Sequence, residues 1–153
     1  MGVLTGGELE ARYDLRVERY KMKIQIESRV MGDLVMNQII PTAIRYQNML
    51  LENVQGIQQI LSESLVKQAS ASQVEMIKEI SERVTRLRKG VGEMIEARKN
   101  VNKMESNSEQ ASAYCDQVRP FFDQLRYDVD KLELIIDDED WPLPKYRELL
   151  FTK

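Results

Sequence analysis

Apolar positions along this chain recur at helical spacing almost from end to end. No period-2 run bounded by turn residues stands out, so strands are not expected. In the first stretch, Leu9, Tyr13, Val17, Tyr20, Ile24, Met31 and Leu34 fall in steps of three, four or seven and share one face. Glu8, Glu10, Asp14 and Glu18 lie toward its start, and Arg16, Arg19, Lys21 and Lys23 follow. Acid before base suits both the helix dipole and i,i+4 pairing. The pattern predicts a helix over 8–39, with Gly32 a mild weak point. Pro41 should then impose a kink or a short break near 38–41, because it lacks a donor and crowds the carbonyl four residues back. Ala43, Leu50, Val54, Ile57 and Leu61 carry the stripe on through a second helix over 42–61.

The serine-rich stretch 62–72 reads as a connection that is itself partly helical, and Ser72 stands three residues before Glu75, a capping-box spacing. The helix predicted over 73–102 is the most regular. Ile77, Val84 and Val91 are seven apart, as are Ile80, Leu87, Met94 and Val101, which makes a heptad seam. Gly90 and Gly92 flank it and would either allow another helix to come close or be mild weak points. The last long helix is expected over 107–137, entered at Ser106 or Ser108. Its stripe is Ala111, Tyr114, Val118, Phe121, Leu125, Val129, Leu132 and Ile136, with a kink before Pro120. The acidic cluster Asp137, Asp138, Glu139 and Asp140 ends that helix, and the tail 138–153 continues as Trp141-Pro142-Leu143-Pro144, which is not regular helix. Long amphipathic helices on short connections must return antiparallel. The expected fold is therefore all-α: an elongated antiparallel bundle of three to four long helices in a single domain, 1–153, with an apolar tail.

Composition removes several chemistries. The chain has 153 residues, one cysteine and no histidine. A single cysteine makes no internal disulfide, and without histidine there is no imidazole base or His-bearing metal site. The net charge of -3 makes no electrostatic case for nucleic acid. Residues 106–153 hold six basic and eleven acidic side chains, so the acidic excess is local to the last third. No apolar run approaches the ~20 residues of a membrane span, and no leader pattern opens the chain, so a soluble cytoplasmic protein is expected.

The remaining features have modest readings. Asp137–Asp140 lacks the spacing of a calcium loop and reads as a solvated helix stop. Cys115 reads as a buried structural thiol. Arg83, Arg86, Arg88 and Lys89 are interleaved with Glu79, Glu82 and Glu93 and read as a solvated or interhelical charged face. The eight methionines are scattered and read as core filling. The tail is less ordinary. Trp141, Tyr146, Leu149, Leu150 and Phe151 are costly to leave in water, so the tail either folds back or docks elsewhere.

Several stretches resemble one family. They are 24–32 (Ile-Gln-Ile-Glu-Ser-Arg-Val-Met-Gly), 40–48 (Ile-Pro-Thr-Ala-Ile-Arg-Tyr-Gln-Asn), 94–99 (Met-Ile-Glu-Ala-Arg-Lys), 131–134 (Lys-Leu-Glu-Leu) and the tail 141–151. Together and in this order they resemble the C-terminal region of type III glutamine synthetases. The resemblance implies a longer parent enzyme that makes glutamine from glutamate, ammonia and ATP with a divalent cation such as Mg, and that assembles as a large homo-oligomer. None of the parent's catalytic, nucleotide-binding or metal-binding motifs matches a residue here, so no catalytic, cofactor or metal residue is assigned. The implied role is noncatalytic: structural, assembly or regulatory, with the catalytic region and neighbouring subunits as partners and no nucleic acid or membrane. The alternative is a freestanding helical protein that self-associates through the 77–101 seam.

Overall fold

The computed structural model describes residues 6–145 and 148–149. Within them all regular structure is helical: α1 (Gly6–Leu34), α2 (Ile40–Ile60), α3 (Glu63–Ala69), α4 (Ala71–Val101), α5 (Asn107–Ala113) and α6 (Pro120–Ile135). Five-residue π-helical turns join α1 to α2 (Val35–Ile39) and α5 to α6 (Tyr114–Val118). The molecule is thus three long rods, of which two are compound and α4 is uninterrupted.

Both π turns answer the same covalent fact. A proline offers no N–H to the carbonyl four residues back, and its ring pushes that carbonyl away. Ahead of Pro41, the Ile40 N–H bonds to Val35 O, five residues back. Ahead of Pro120, the Arg119 N–H bonds to Tyr114 O at 3.0 Å. The expected kink or break is instead a widened turn, and the backbone stays helical through Ile39, Ile40, Val118 and Arg119. The extra residue also turns everything downstream back by roughly 100° relative to an unbroken α-helix. That keeps Ala43, Leu50 and Val54 on the same side of the rod as Ile24, Ser28 and Val35.

The side-chain contacts give the direction of each rod. Gln47 Nε2 donates to Ile77 O (2.8 Å) and Ser81 Oγ, Gln73 bonds Asn53, and Arg98 Nη1 reaches Ser28 Oγ at 3.4 Å. As α2 and α1 are followed backwards, α4 advances, so α4 lies antiparallel to the whole α1–α2 rod. Against α6, Arg83 and Arg86 meet Asp128, while Gly90 faces Leu125, again antiparallel. Lys21 Nζ donates to Asn107 and Gln110, which sets α5 beside α1.

Helix α4 is the shared partner, and its heptad seam is the centre of the core. Ile80, Leu87, Met94 and Val101 have no exposed surface and Val91 almost none. A Cβ on Gly90 would stand 3.0 Å from Leu125 Cδ2, so α4 and α6 approach closely there, whereas Gly92 faces open space. The first turns of α1 depart from expectation. Residues 6–16 are exposed throughout; Leu9 (55%) and Tyr13 (60%) lie outside the core. Helix α4 ends at Val101, opposite the middle of α1, and so does not reach their predicted face. Leu61 is likewise exposed.

Two helix starts also differ. Helix α4 begins at Ala71, and Ser72 lies inside it; Ser70 precedes it and gives its hydroxyl to Val66 O at 2.7 Å. Ser106 does cap α5, accepting from the Glu109 N–H. The tail folds back as far as it is described. Trp141 is buried in the main core and Leu143 packs against it. Lys145 Nζ donates to Glu133 O (2.9 Å), Ile136 O (3.0 Å) and Asp138 Oδ1 (2.6 Å), a cation closing the C-terminal end of α6. Tyr146, Leu150 and Phe151, also named in the tail, lie outside the described residues.

Candidate functional site

The chemically interesting side chains are mostly engaged in holding the rods together. Asp128 is the clearest case. Its side chain is 5% exposed and sits on the buried side of α6. It accepts from Arg83 Nη1 at 2.9 Å, from Arg86 Nη2 at 2.9 Å and from Arg86 Nε at 3.2 Å. Arg83, 11% exposed, is also paired with Glu79 one turn back, and its guanidinium lies 5.8 Å from the centre of the Tyr127 ring. Hydrogen bonding to Asp128 raises the pKa of Arg86, against the opposing effect of desolvation. This cluster fixes the register of α4 on α6. The interhelical reading of the basic run therefore holds for Arg83 and Arg86, while Arg88 and Lys89 are exposed.

The acidic stretch is a helix stop. Asp137 Oδ1 accepts from the Glu139 N–H at 2.8 Å, and Asp137 O receives the Trp141 N–H at 3.1 Å. Asp138 is taken by Lys145. Among the described residues no three histidine, cysteine, aspartate or glutamate side chains gather as a metal site would require.

Cys115 differs from its expected place. It is half-buried and lines a shallow depression with Tyr13, Arg16, Tyr20 and Ser112. Its contact with Tyr20, and next burial, push the Tyr20 hydroxyl above its ordinary value, with Arg119 acting the other way. The methionines differ too. Met94 is fully buried, but Met22, Met36 and Met49 are exposed, because no helix covers their faces.

A second concavity is almost wholly apolar. It is a groove of about 390 Å³ between α1 and α6, walled by Ile26, Val30, Leu34, Phe122, Val129 and Leu143. No helix of the described residues is long and apolar enough to cross a membrane. The seam at 77–101, the basis for self-association in the alternative reading, is spent inside the chain's own core.

Three of the family-like stretches, 24–32, 40–48 and 94–99, carry contacts between rods. Ile24, Ser28 and Gly32 form the buried face of α1, and Gly32 lies against Val91 and Met94. Thr42 is buried and bonds Arg45, Gln47 ties α2 to α4, and Arg98 reaches Ser28. Residues 1–58 match the family model described as the glutamine synthetase C-terminal domain. A glutamine synthetase of Bacteroides fragilis is 52% identical over 95% of this chain. The chain belongs to the glutamine synthetase C-terminal domain family. A type-3 glutamine synthetase of Dictyostelium discoideum is 28% identical over 99% of the chain, and a glutamine synthetase of Butyrivibrio fibrisolvens 24% over 99%. The chain spans about a fifth of the length of these relatives (20%, 20% and 21%). The family model covers α1, the first π turn and most of α2, whereas the relatives align along nearly all of the chain. This glutamine synthetase C-terminal domain is thus an all-α unit whose α1, α2, α4 and α6 pack on one another.

Proposed function

We propose that the chain serves as a noncatalytic helical domain of a type III glutamine synthetase. The parent would join ammonia to glutamate at the expense of ATP, using a divalent cation, at a site outside these residues. The domain's work is mechanical: it packs against the catalytic region and supports contacts between subunits of a cytoplasmic homo-oligomer. One observation carries this reading. Ser28, Gly32, Gln47 and Arg98, from three of the stretches that bring the family resemblance, are spent on rod-to-rod packing and hydrogen bonding, so what the family shares at these positions is a frame. No catalytic, nucleotide or metal residue is assigned to the chain.

Two measurements on purified proteins test it. The isolated chain should form no glutamine from glutamate, ammonia and ATP; turnover would overturn the noncatalytic assignment. The full-length protein lacking these residues should assemble into smaller particles by light scattering and lose activity. A truncated protein of full activity and unchanged size would overturn the structural role.

A further inference from the structure

Helix α1 has a second apolar face that the bundle does not use. At about 100° per residue, Leu15, Met22, Ile26 and Val30 fall in an arc about 80° wide, roughly opposite the buried arc of Ile24, Ser28 and Gly32. All four are about half exposed: 54%, 51%, 55% and 52%. An outer helix of a bundle normally turns a polar face to water. This stripe instead runs into the apolar groove beside α6, since Ile26 and Val30 line both. One side of the stripe is mainly basic: Arg12 and Arg19 stand at its border and Arg16 and Lys23 just beyond, with one acid among them, Glu27, which pairs with Lys23 at 3.9 Å.

We infer that this stripe and its groove receive a part of the full-length polypeptide outside residues 1–153, through an apolar surface edged by carboxylates. The inference rests on the reading of the chain as one domain of a longer enzyme, and it names the face that makes the contact. Three observations choose this occupant. The relatives are about five times as long as the chain, so most of the polypeptide lies outside it. The basic edge calls for acidic groups opposite. Area argues against a second copy. Four half-exposed aliphatic side chains offer on the order of 100 Å² each. The apolar part of a contact between two copies would come to about 800 Å², a small core set against the roughly 1,200 Å² total of a stable interface between free proteins. The groove's walls are already packed on the core and add little. A partner on the same polypeptide needs less area, because the tether supplies a high effective concentration.

The test is thiol labelling of Met22→Cys, and separately Ile26→Cys, in the full-length protein and in the isolated chain, read by mass spectrometry of the labelled peptide. Leu134→Cys and Ile60→Cys, at other exposed positions, serve as comparison sites. The expected result is labelling at positions 22 and 26 at least tenfold slower in the full-length protein, with rates in the isolated chain independent of its concentration. Arg19→Glu combined with Lys23→Glu should restore much of the lost rate. Equal rates at 22 and 26 with protection at 134 or 60 would overturn the inference and leave the packing role standing, by another face. Equal rates at all four positions would overturn both. Protection that grows with concentration of the isolated chain would assign the face to a second copy and overturn the inference. No effect of the charge reversals would overturn its carboxylate edge.

Discussion

Replacing Asp128 by alanine removes the only acid that α6 places between Arg83 and Arg86 in this cluster, and the cost follows from burial. Arg86 is 47% exposed and can turn to water or to Glu82, so its loss is small. Arg83 is 11% exposed and cannot; it keeps Glu79, itself 39% exposed, and loses its bond across the helix interface. Breaking a buried pair from one side typically costs 3–5 kcal/mol, because an uncompensated charge stays behind. With Glu79 still in place, the low end applies, about 3 kcal/mol. In a domain of this size that is a fall in Tm of about 6–12 °C. The assay is urea unfolding followed by far-ultraviolet circular dichroism, with Trp141, the chain's one tryptophan, as a second probe. A companion variant, Arg83→Met with Asp128→Leu, should recover most of the loss, since an apolar pair of similar volume carries no desolvation cost. A loss under about 1 kcal/mol for Asp128→Ala, or a double variant no better than the single one, would refute the claim that a trapped arginine is the source.

Trp141 is buried, yet its indole N–H has no partner among the described residues. Trp141→Phe should therefore cost little beyond lost packing, within about 1.5 kcal/mol, whereas Trp141→Ala should cost about 3–5 kcal/mol by circular dichroism melts. Gly92 lies inside α4 facing open space, so Gly92→Ala should stabilise by about 0.5–1 kcal/mol in the same melts. Tyr114 is fully buried, and burial pushes its hydroxyl above the ordinary tyrosine value. The unfolded chain then loses that proton first, so stability should fall as pH rises above about 10. Tyr114→Phe should flatten this alkaline fall in unfolding titrations, and an unchanged slope would remove Tyr114 as its cause.

The parts of the fold legible in the sequence were those that depend on local period. The α4 seam could be read directly, because Ile80, Leu87, Met94 and Val101 repeat every seven residues with no glycine on the seam itself. Both proline sites could be located but not described. A proline states that an ordinary hydrogen bond is missing, and the neighbouring packing decides whether the chain bends, breaks or widens. The Asp128 cluster was out of reach, since Arg83 and Asp128 are 45 residues apart and only the register of two rods brings them together. The exposed start of α1 escapes the pattern for a related reason. Leu9 and Tyr13 keep perfect period with the core residues, but burial also needs a partner helix of sufficient length. Nor did period reveal the outward stripe at 15–30, because one amphipathic face had already accounted for that helix.

The twin π turns have a consequence for how the chain tolerates changes in its own length. A residue deleted within an ordinary stretch of α1 would rotate every later side chain of the rod by roughly 100°, carrying Ala43, Leu50 and Val54 out of the core. A residue deleted within Val35–Ile39 has a different fate. The turn already holds one residue more than an α-helical turn, so losing one converts it to ordinary α-helix and leaves the downstream phase unchanged. Only the Pro41 ring would then object, at about 3 kcal/mol, and pairing the deletion with Pro41→Ala should remove that objection. The same arithmetic holds for Tyr114–Val118 and Pro120. Each compound rod thus carries one place where its length can change by a residue without disturbing the packing beyond it.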